Sequence, residues 1–176
     1  METYTGKKFY IKSPRLQDID IIDIAHSLAL QCRFRGHCRT FYSVAEHSIR
    51  VADILPPELR LAGLLHDAAE AYVGDMIRGQ KESIPSFRKV EKDILDLIYI
   101  KFTVPTKLIG NRWIKEADDI LTATEGRDLM SNIDDWISEL GVRPLDSAIE
   151  PYDWRVAEQL FLISFDILKG GKHEKR

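Results

Sequence analysis

Hydrophobic and polar positions recur along most of this chain with the period of a helix rather than that of a strand. In "DIDIIDIAHSLAL" the aspartates suit a helix start, and Ile22, Ala25, Leu28 and Ala29 follow at helical spacing. "QCRFRGHCRT" breaks the pattern, with Gly36 marking a loop. The next helix opens at "SVAE", where Ser43 can cap and Glu46 can reach back to complete a capping box. It is expected to run to Leu55, ahead of Pro56-Pro57. "PELRLAGLLHDAAEAY" has proline in its first turn and an apolar or small surface nearly all round, the pattern of a central helix covered by neighbours. "SFRKVEKDILDLIYIKF" is amphipathic and limited by Pro105, and "RWIKEADDILTATEGRDLM" follows, with Gly126 expected to distort or end it. "IDDWISEL" stops at Gly141, and "YDWRVAEQLFLISFDILKG" closes at Gly170.

Only the start differs. "TYTGKKFYIK" places β-favouring residues around Gly6, which predicts a short hairpin or extended arm within residues 1–14. No internal repeat and no parallel-sheet alternation is present. The expectation is a single all-α domain over residues 1–176, a compact bundle of about six or seven helices with a frayed tail from 170. Trp113, Trp136 and Trp154 fall at apolar helical positions and are expected to pack in the core rather than to stack on bases. His26, mid-helix, reads as a packed or hydrogen-bonded histidine.

Helical phase then sorts the polar residues. Val44, His47 and Val51 share the inward stripe of their helix. Gly63, His66, Asp67 and Glu70 form one patch on the central helix, and the glycine permits a close approach there. Asp118 shares a face with Ile114, Leu121 and Glu125, whereas Asp119 shares one with Lys115, Thr122 and Gly126, so Asp118 is the aspartate expected to point in. Glu125 is a candidate to orient a ligand or Arg33, with a surface ion pair alongside Arg127 and Asp128 as the equal alternative.

One stretch raises a question of charge. "LLHDAAEAYVGD", Leu64 to Asp75, carries one histidine and three carboxylates, while Arg60 is the last basic residue before Arg78. Such groups are rarely buried unless they are paired or bind a metal. His47, His66, Asp67 and Asp118 would offer two imidazoles and two carboxylates, a mixed set that suits a divalent transition metal such as Mn, Co, Ni, Fe or Zn. An open site of that kind polarises a phosphoryl oxygen and lowers the pKa of bound water towards about 7, which points to hydrolysis. Either histidine alone is accounted for by a core imidazole bonded to backbone. Two inward histidines beside adjacent acids favour the metal.

Composition narrows the classes further. The 176 residues are 44% hydrophobic and 30% charged with a net charge of -3, which fits a soluble globular protein and argues against one that wraps a nucleic-acid polymer. No apolar run reaches the roughly 20 residues that span a bilayer. Cys32 and Cys38 are too few for a disulfide framework, and "METYTGKKFY" has no secretion-type apolar region, so a cytoplasmic protein with reduced thiols is expected. "CRFRGHC" lacks the four ligands of a structural zinc site, although His37 is a candidate to border the active site. No Gly-rich phosphate loop is present, so phosphate binding would rest on metal and arginine.

The order His47, then His66-Asp67 after eighteen intervening residues, then Asp118, resembles the H…HD…D signature of the HD-domain phosphohydrolases. "YSVAEHSIRVA", "LAGLLHDAAEAYVGD" and "KEADDIL" are similar to that family in their surrounding residues as well, across roughly residues 20 to 130. The short chain and "HDAAEAYVGD" look most like the bacterial 5′-deoxynucleotidases and the phage dATP triphosphohydrolases. The resemblance implies metal ligation by His47, His66, Asp67 and Asp118, proton transfer by Glu70 and a grip on the sugar 3′-hydroxyl by Asp75. It also implies a phosphate contact from Arg33, with Phe34 against the sugar in place of the family's tryptophan and with a spacing that differs by about one residue. After Asp75 the family carries a proline-bearing segment, whereas this chain reads "MIRGQKES". Arg78 and Lys81 there are candidates for extra phosphate contacts or solvated loop charges. The implied activity is hydrolysis of deoxynucleoside 5′-monophosphates by metal-bound water. The alternatives are release of triphosphate from deoxynucleoside triphosphates, and a catalytically weak nucleotide-binding regulatory module. The implied partners are a small nucleotide and further copies of the same chain, with no nucleic-acid polymer and no membrane.

Overall fold

A computed structural model of the protein describes residues 1–131 and 138–170, with the side chains of Arg78 and Glu82 excepted. Among the described residues the chain is all helical. Its α-helices are α1 (Ile21–Leu30), α2 (Val44–Ile54), α3 (Pro57–Leu64), α4 (Glu70–Val73), α5 (Arg78–Ser83), α6 (Pro85–Lys101), α7 (Arg112–Leu129) and α8 (Trp154–Leu168). The only β pairing among these residues is two isolated bridges, Glu2 with Lys8 and Cys32 with Ser43. None of these helices is long and apolar enough to cross a membrane.

The arm is a single tight reversal. Gly6, at φ 80°, lets its N–H reach Thr3 O (2.9 Å), and Phe9 N–H donates to Met1 O (2.9 Å). Phe9 is thereby buried and stacks on Tyr72, with ring centroids 4.0 Å apart. Asp20 caps α1 by accepting from Ile22 N–H. Ala25, Leu28 and Ala29 face the core as the spacing predicts, but Ile22 is 43% exposed and Ile24 takes the buried position. His26 bonds Glu158 (3.2 Å) and stacks on Tyr4.

α2 is the centre of the bundle, packed against α1, α3, α7 and α8. Ser43 caps it through Glu46 N–H (3.0 Å), an interaction worth about 1 kcal/mol. The expected capping box is only half formed. The Glu46 carboxylate, buried, binds Arg50 and the Tyr152 N–H (2.8 Å) instead, which ties α2 to the chain entering α8.

The expected central helix is two helices. After α3, His66 N–H bonds Gly63 O, Ala68 N–H bonds Leu65 O and Glu70 N–H bonds Asp67 O, so the chain tightens to three-residue hydrogen bonds before α4. Three other expectations are corrected. Gly126 is buried inside α7, which continues to Leu129, because its backbone stays helical and a glycine costs only about 1 kcal/mol there. The "MIRGQKES" segment contains α5 rather than only loop. Trp113 is 52% exposed beneath the Arg112 guanidinium, while Trp154 is half-buried against His26. Trp136 and most of "IDDWISEL" lie outside the described residues.

Gly63 marks where α3 crosses α2. A Cβ there would lie 2.3 Å from Leu55 Cδ1 and 3.5 Å from Ala52 Cα. The tip of Leu55 can turn away and alanine is the better helix former, so Gly63→Ala is expected to change stability by no more than about 1 kcal/mol. Gly63→Leu has no room and is expected to cost about 1–3 kcal/mol. Urea unfolding midpoints measure both. A Gly63→Leu midpoint equal to that of wild type would contradict the close crossing.

Candidate metal and phosphate site

Four elements converge on one point. α2 supplies His47, the turn after α3 supplies His66 and Asp67, α7 supplies Asp118, and the loop before α2 supplies Arg33. His47 is fully buried, and its Nδ1 meets Glu125 Oε1 at 2.6 Å. His66 Nδ1 meets Gly63 O at 2.7 Å. A carbonyl oxygen only accepts, so His66 donates from Nδ1 and its neutral ring keeps the lone pair on Nε2.

Both Nε2 atoms are buried, and neither makes a hydrogen bond. Around them lie carboxylate oxygens. His66 Nε2 is 3.2 Å and His47 Nε2 3.7 Å from Asp67 Oδ2, and His47 Nε2 is 3.2 Å from Asp118 Oδ1. His47, His66 and Asp67 each bring one donor atom within 4.8 Å of the others. Ligands held at roughly 2.0–2.2 Å from one ion are spaced about this far apart, so two oriented imidazoles with unused nitrogens beside two carboxylates fit a divalent cation.

The electrostatics favour the same conclusion. Burial holds Asp67 and Asp118 up, but the two imidazoles overcome it and keep both carboxylates well below their ordinary range. Burial likewise opposes a charged His66, yet Asp67 beside it wins and pushes its pKa up to about 9.

Arg33 sits behind the ligands. Its Nη2 and Nε lie 2.9 and 3.0 Å from Glu125 Oε2, its Nη2 donates to Thr122 Oγ1 (3.1 Å), and its Nη1 faces Asp67 at 4.0 Å. Burial opposes its charge, but Glu125, Asp118 and Asp67 keep the guanidinium protonated. The backbone around it is strained. Phe34 and Arg35 have φ of 53° and 57°, left-handed values that cost roughly 1–2 kcal/mol for each such residue. They are held by Arg33 N–H on Tyr42 O (2.9 Å), the Cys38 thiol on Arg33 O (3.2 Å) and Arg35 Nη1 on Asp75 O (3.0 Å).

A cavity of about 940 Å³ opens over the cluster, and Arg33, Phe34, His37, Asp67, Glu70, Asp75, Lys81 and Asp118 all line it. Glu70 is buried, with Oε1 on Lys81 Nζ (2.8 Å) and Oε2 unbonded. Burial and the neighbouring Asp67 push its carboxyl well above the ordinary range, against the pull of Lys81. Lys81 also binds Glu91 (2.7 Å), so it is held on helix α5 between two carboxylates at the cavity wall rather than solvated in a loop. Asp75, raised chiefly by burial, follows Gly74 at φ 84° and has its backbone N–H on Gln31 Oε1 (2.9 Å). The Arg78 side chain lies outside the described residues.

Two participants were not anticipated. Thr122 donates to Asp118 (3.3 Å) as well as receiving Arg33, and its position four residues after Asp118 was the available signal. Glu91 anchors Lys81 from α6, and no sequence signal marks it. Asp119 is buried, pairs with Lys115 and does not line the cavity.

No family model matches the chain. Uncharacterized protein YfdR of Escherichia coli (strain K12) is 40% identical over 129 residues, which is 73% of this chain and 71% of YfdR. The chain belongs to the YfdR family. Uncharacterized protein RCAP_rcc00048 of Rhodobacter capsulatus is 33% identical over 137 residues, covering 71% of this chain and 70% of its own length.

Protons and a bound cation would compete for the imidazoles of this YfdR-family site. The folded His66 pKa of about 9 exceeds the unfolded value near 6.5, so its stabilising contribution is complete below about pH 6.5 and is lost as pH rises to 9. The metal-free protein is expected to lose up to about 3 kcal/mol across that interval, whereas the rise in Tm on adding Mn²⁺ or Co²⁺ grows across it. Thermal scans at several pH values with chelator or metal check this; a metal-induced shift that shrinks with rising pH would contradict it. Asp118→Asn is expected to weaken metal affinity more than about 10-fold, and Asp119→Asn to leave it unchanged, by isothermal titration.

Proposed function

We propose that the protein is a metal-dependent phosphohydrolase of the HD type that converts deoxynucleoside 5′-monophosphates to nucleoside and phosphate. The observation that carries this reading is the convergence of two unbonded imidazole nitrogens and two carboxylates at a cavity that Glu70 and Arg33 also line. A divalent cation held by His47, His66, Asp67 and Asp118 would polarise the phosphoryl group and acidify water.

The protein's own groups divide the remaining work. The Arg33 guanidinium, fixed on Glu125 along its Nε edge, turns Nη1 towards the cavity and offers a permanent charge to a phosphate oxygen. Glu70 has a carboxyl that burial and the neighbouring Asp67 hold well above its ordinary range, so it would retain a proton more readily than an exposed glutamate, and its unbonded Oε2 is the atom that would carry it. Asp75 would accept from a sugar hydroxyl, and Phe34, which lines the same cavity, would border the sugar. Met76, Ile77, Met130 and Leu140 supply an apolar lining for the base.

Charge favours the shorter phosphate chain. The cavity is lined by Asp67, Glu70, Asp75, Glu91, Asp118 and Glu139 against Arg33, Lys81 and Arg88. Arg33 and Lys81 are already engaged with carboxylates. Such a lining tolerates a monophosphate better than the larger negative charge of a triphosphate. The cavity volume is the one observation on the side of a deoxynucleoside triphosphate that releases triphosphate.

Incubation of metal-replete protein with deoxynucleoside mono- and triphosphates, followed by separation of products, tests the reading. Phosphate from monophosphates is expected. Triphosphate release would favour the second substrate, and no turnover of either would defeat both. Glu70→Gln is expected to retain metal and lose about 10²–10⁴-fold in kcat. Arg33→Ala, if folded, is expected to raise KM.

A further inference from the structure

The outer face of α8 carries an apolar stripe that nothing in the described chain covers. Val156, Ile163 and Ile167 are 43%, 51% and 56% exposed, and the half-buried Leu160 lies between them. At 100° per residue these four positions fall within about 60° of arc, whereas Ala157, Phe161 and Phe165 face the core on another side of the helix. An exposed line of large aliphatic residues at three-, four- and seven-residue spacing is a helix-packing seam.

The charges beside the seam say what covers it. Arg155 and Asp166 both lie on the same flank, eleven residues apart, or about 16 Å along the axis. Asp166 has no ion-pair partner among the described residues, and Arg155 touches only its near neighbours Asp153 (3.4 Å) and Trp154. When two copies of one helix pack antiparallel, the same flank of each faces the other. A twofold axis crossing between Leu160 and Ile163 therefore sets Val156 against Ile167 of a second copy and Leu160 against its Ile163. That axis also brings Arg155 beside Asp166 of the second copy, and the reverse, so seam and charges are self-complementary in one arrangement.

We propose that the protein forms a twofold dimer through antiparallel pairing of α8. The candidate metal site is built from α2, the turn after α3, α7 and the loop before α2, so each copy keeps a complete site and the dimer stands or falls independently of the catalytic reading.

Sedimentation equilibrium of the full chain, with metal content and circular dichroism in parallel, tests it. Wild type is expected to be dimeric at micromolar concentration. Ile163→Asp is expected to raise the dimer dissociation constant at least about 30-fold with unchanged circular dichroism and metal content. Asp166→Arg is expected to raise it about tenfold, and adding Arg155→Asp to that variant to restore pairing. If Ile163→Asp fails to fold, the charge-swap pair still decides. A monomeric wild type at about 100 μM, a dimer indifferent to Ile163→Asp, or a double swap that stays as weak as the single variant would each overturn the proposal.

Discussion

The Glu125 carboxylate has no exposed surface, and the arrangement of the site depends on how that buried charge is compensated. An isolated carboxylate in such a place costs several kcal/mol, so it requires partners of opposite charge. Oε1 takes His47 Nδ1 and Oε2 takes the Arg33 guanidinium, and together they hold Glu125 below the ordinary carboxylate range despite its burial. These residues sit on α7, α2 and the loop before α2. Their pairing therefore sets how three elements meet, stops the His47 ring from turning, and aims Nε2 at Asp67 and Asp118. It also accounts for the tolerance of left-handed backbone at Phe34 and Arg35, since Arg33 has to enter the bundle at that point.

The directions of side chains on long helices were legible in the sequence, and their surroundings were less so. His47 on the apolar stripe of α2 and Asp118 rather than Asp119 towards the site both followed from phase. Phase alone failed for Thr122, which was grouped with Asp119 yet joins Arg33 to Asp118. A cavity subtends a wide arc of the helix beside it, so residues about 40° apart from the site face can still reach in. Asp119, about 100° round α7 from Asp118, is buried and paired with Lys115, while Asp118 is partly open because it borders the cavity.

The break between α3 and α4 had no local signature, because "LAGLLHDAAEAY" is rich in good helix formers. Tertiary demands decide it. Gly63 O, which a continuous helix would give to the Asp67 N–H, accepts from the His66 imidazole and the His66 N–H instead. Rotating these residues out of helical register brings His66 and Asp67 to the same point as His47, which no single helical face would do with both. α5 was missed for a simpler reason. Six residues without an apolar period give pattern reading nothing to detect.

Charge links these observations. The stretch from Leu64 to Asp75 lacks its own cations, and two arrive from outside, Arg33 towards Asp67 and Lys81 onto Glu70. Each is shared with a second carboxylate, Arg33 with Glu125 and Lys81 with Glu91. Neither can therefore neutralise the point where Asp67 and Asp118 face the two imidazoles. Without a cation, the positive charge available at that point is a proton on histidine, which is why His66 holds one up to about pH 9 in spite of its burial. A divalent cation would answer the same deficit by a different means, using the Nε2 lone pairs that the protonated rings give up. Proton and metal are then alternative solutions to one electrostatic problem, set by four acidic and imidazole groups that the fold brings together and leaves short of positive charge.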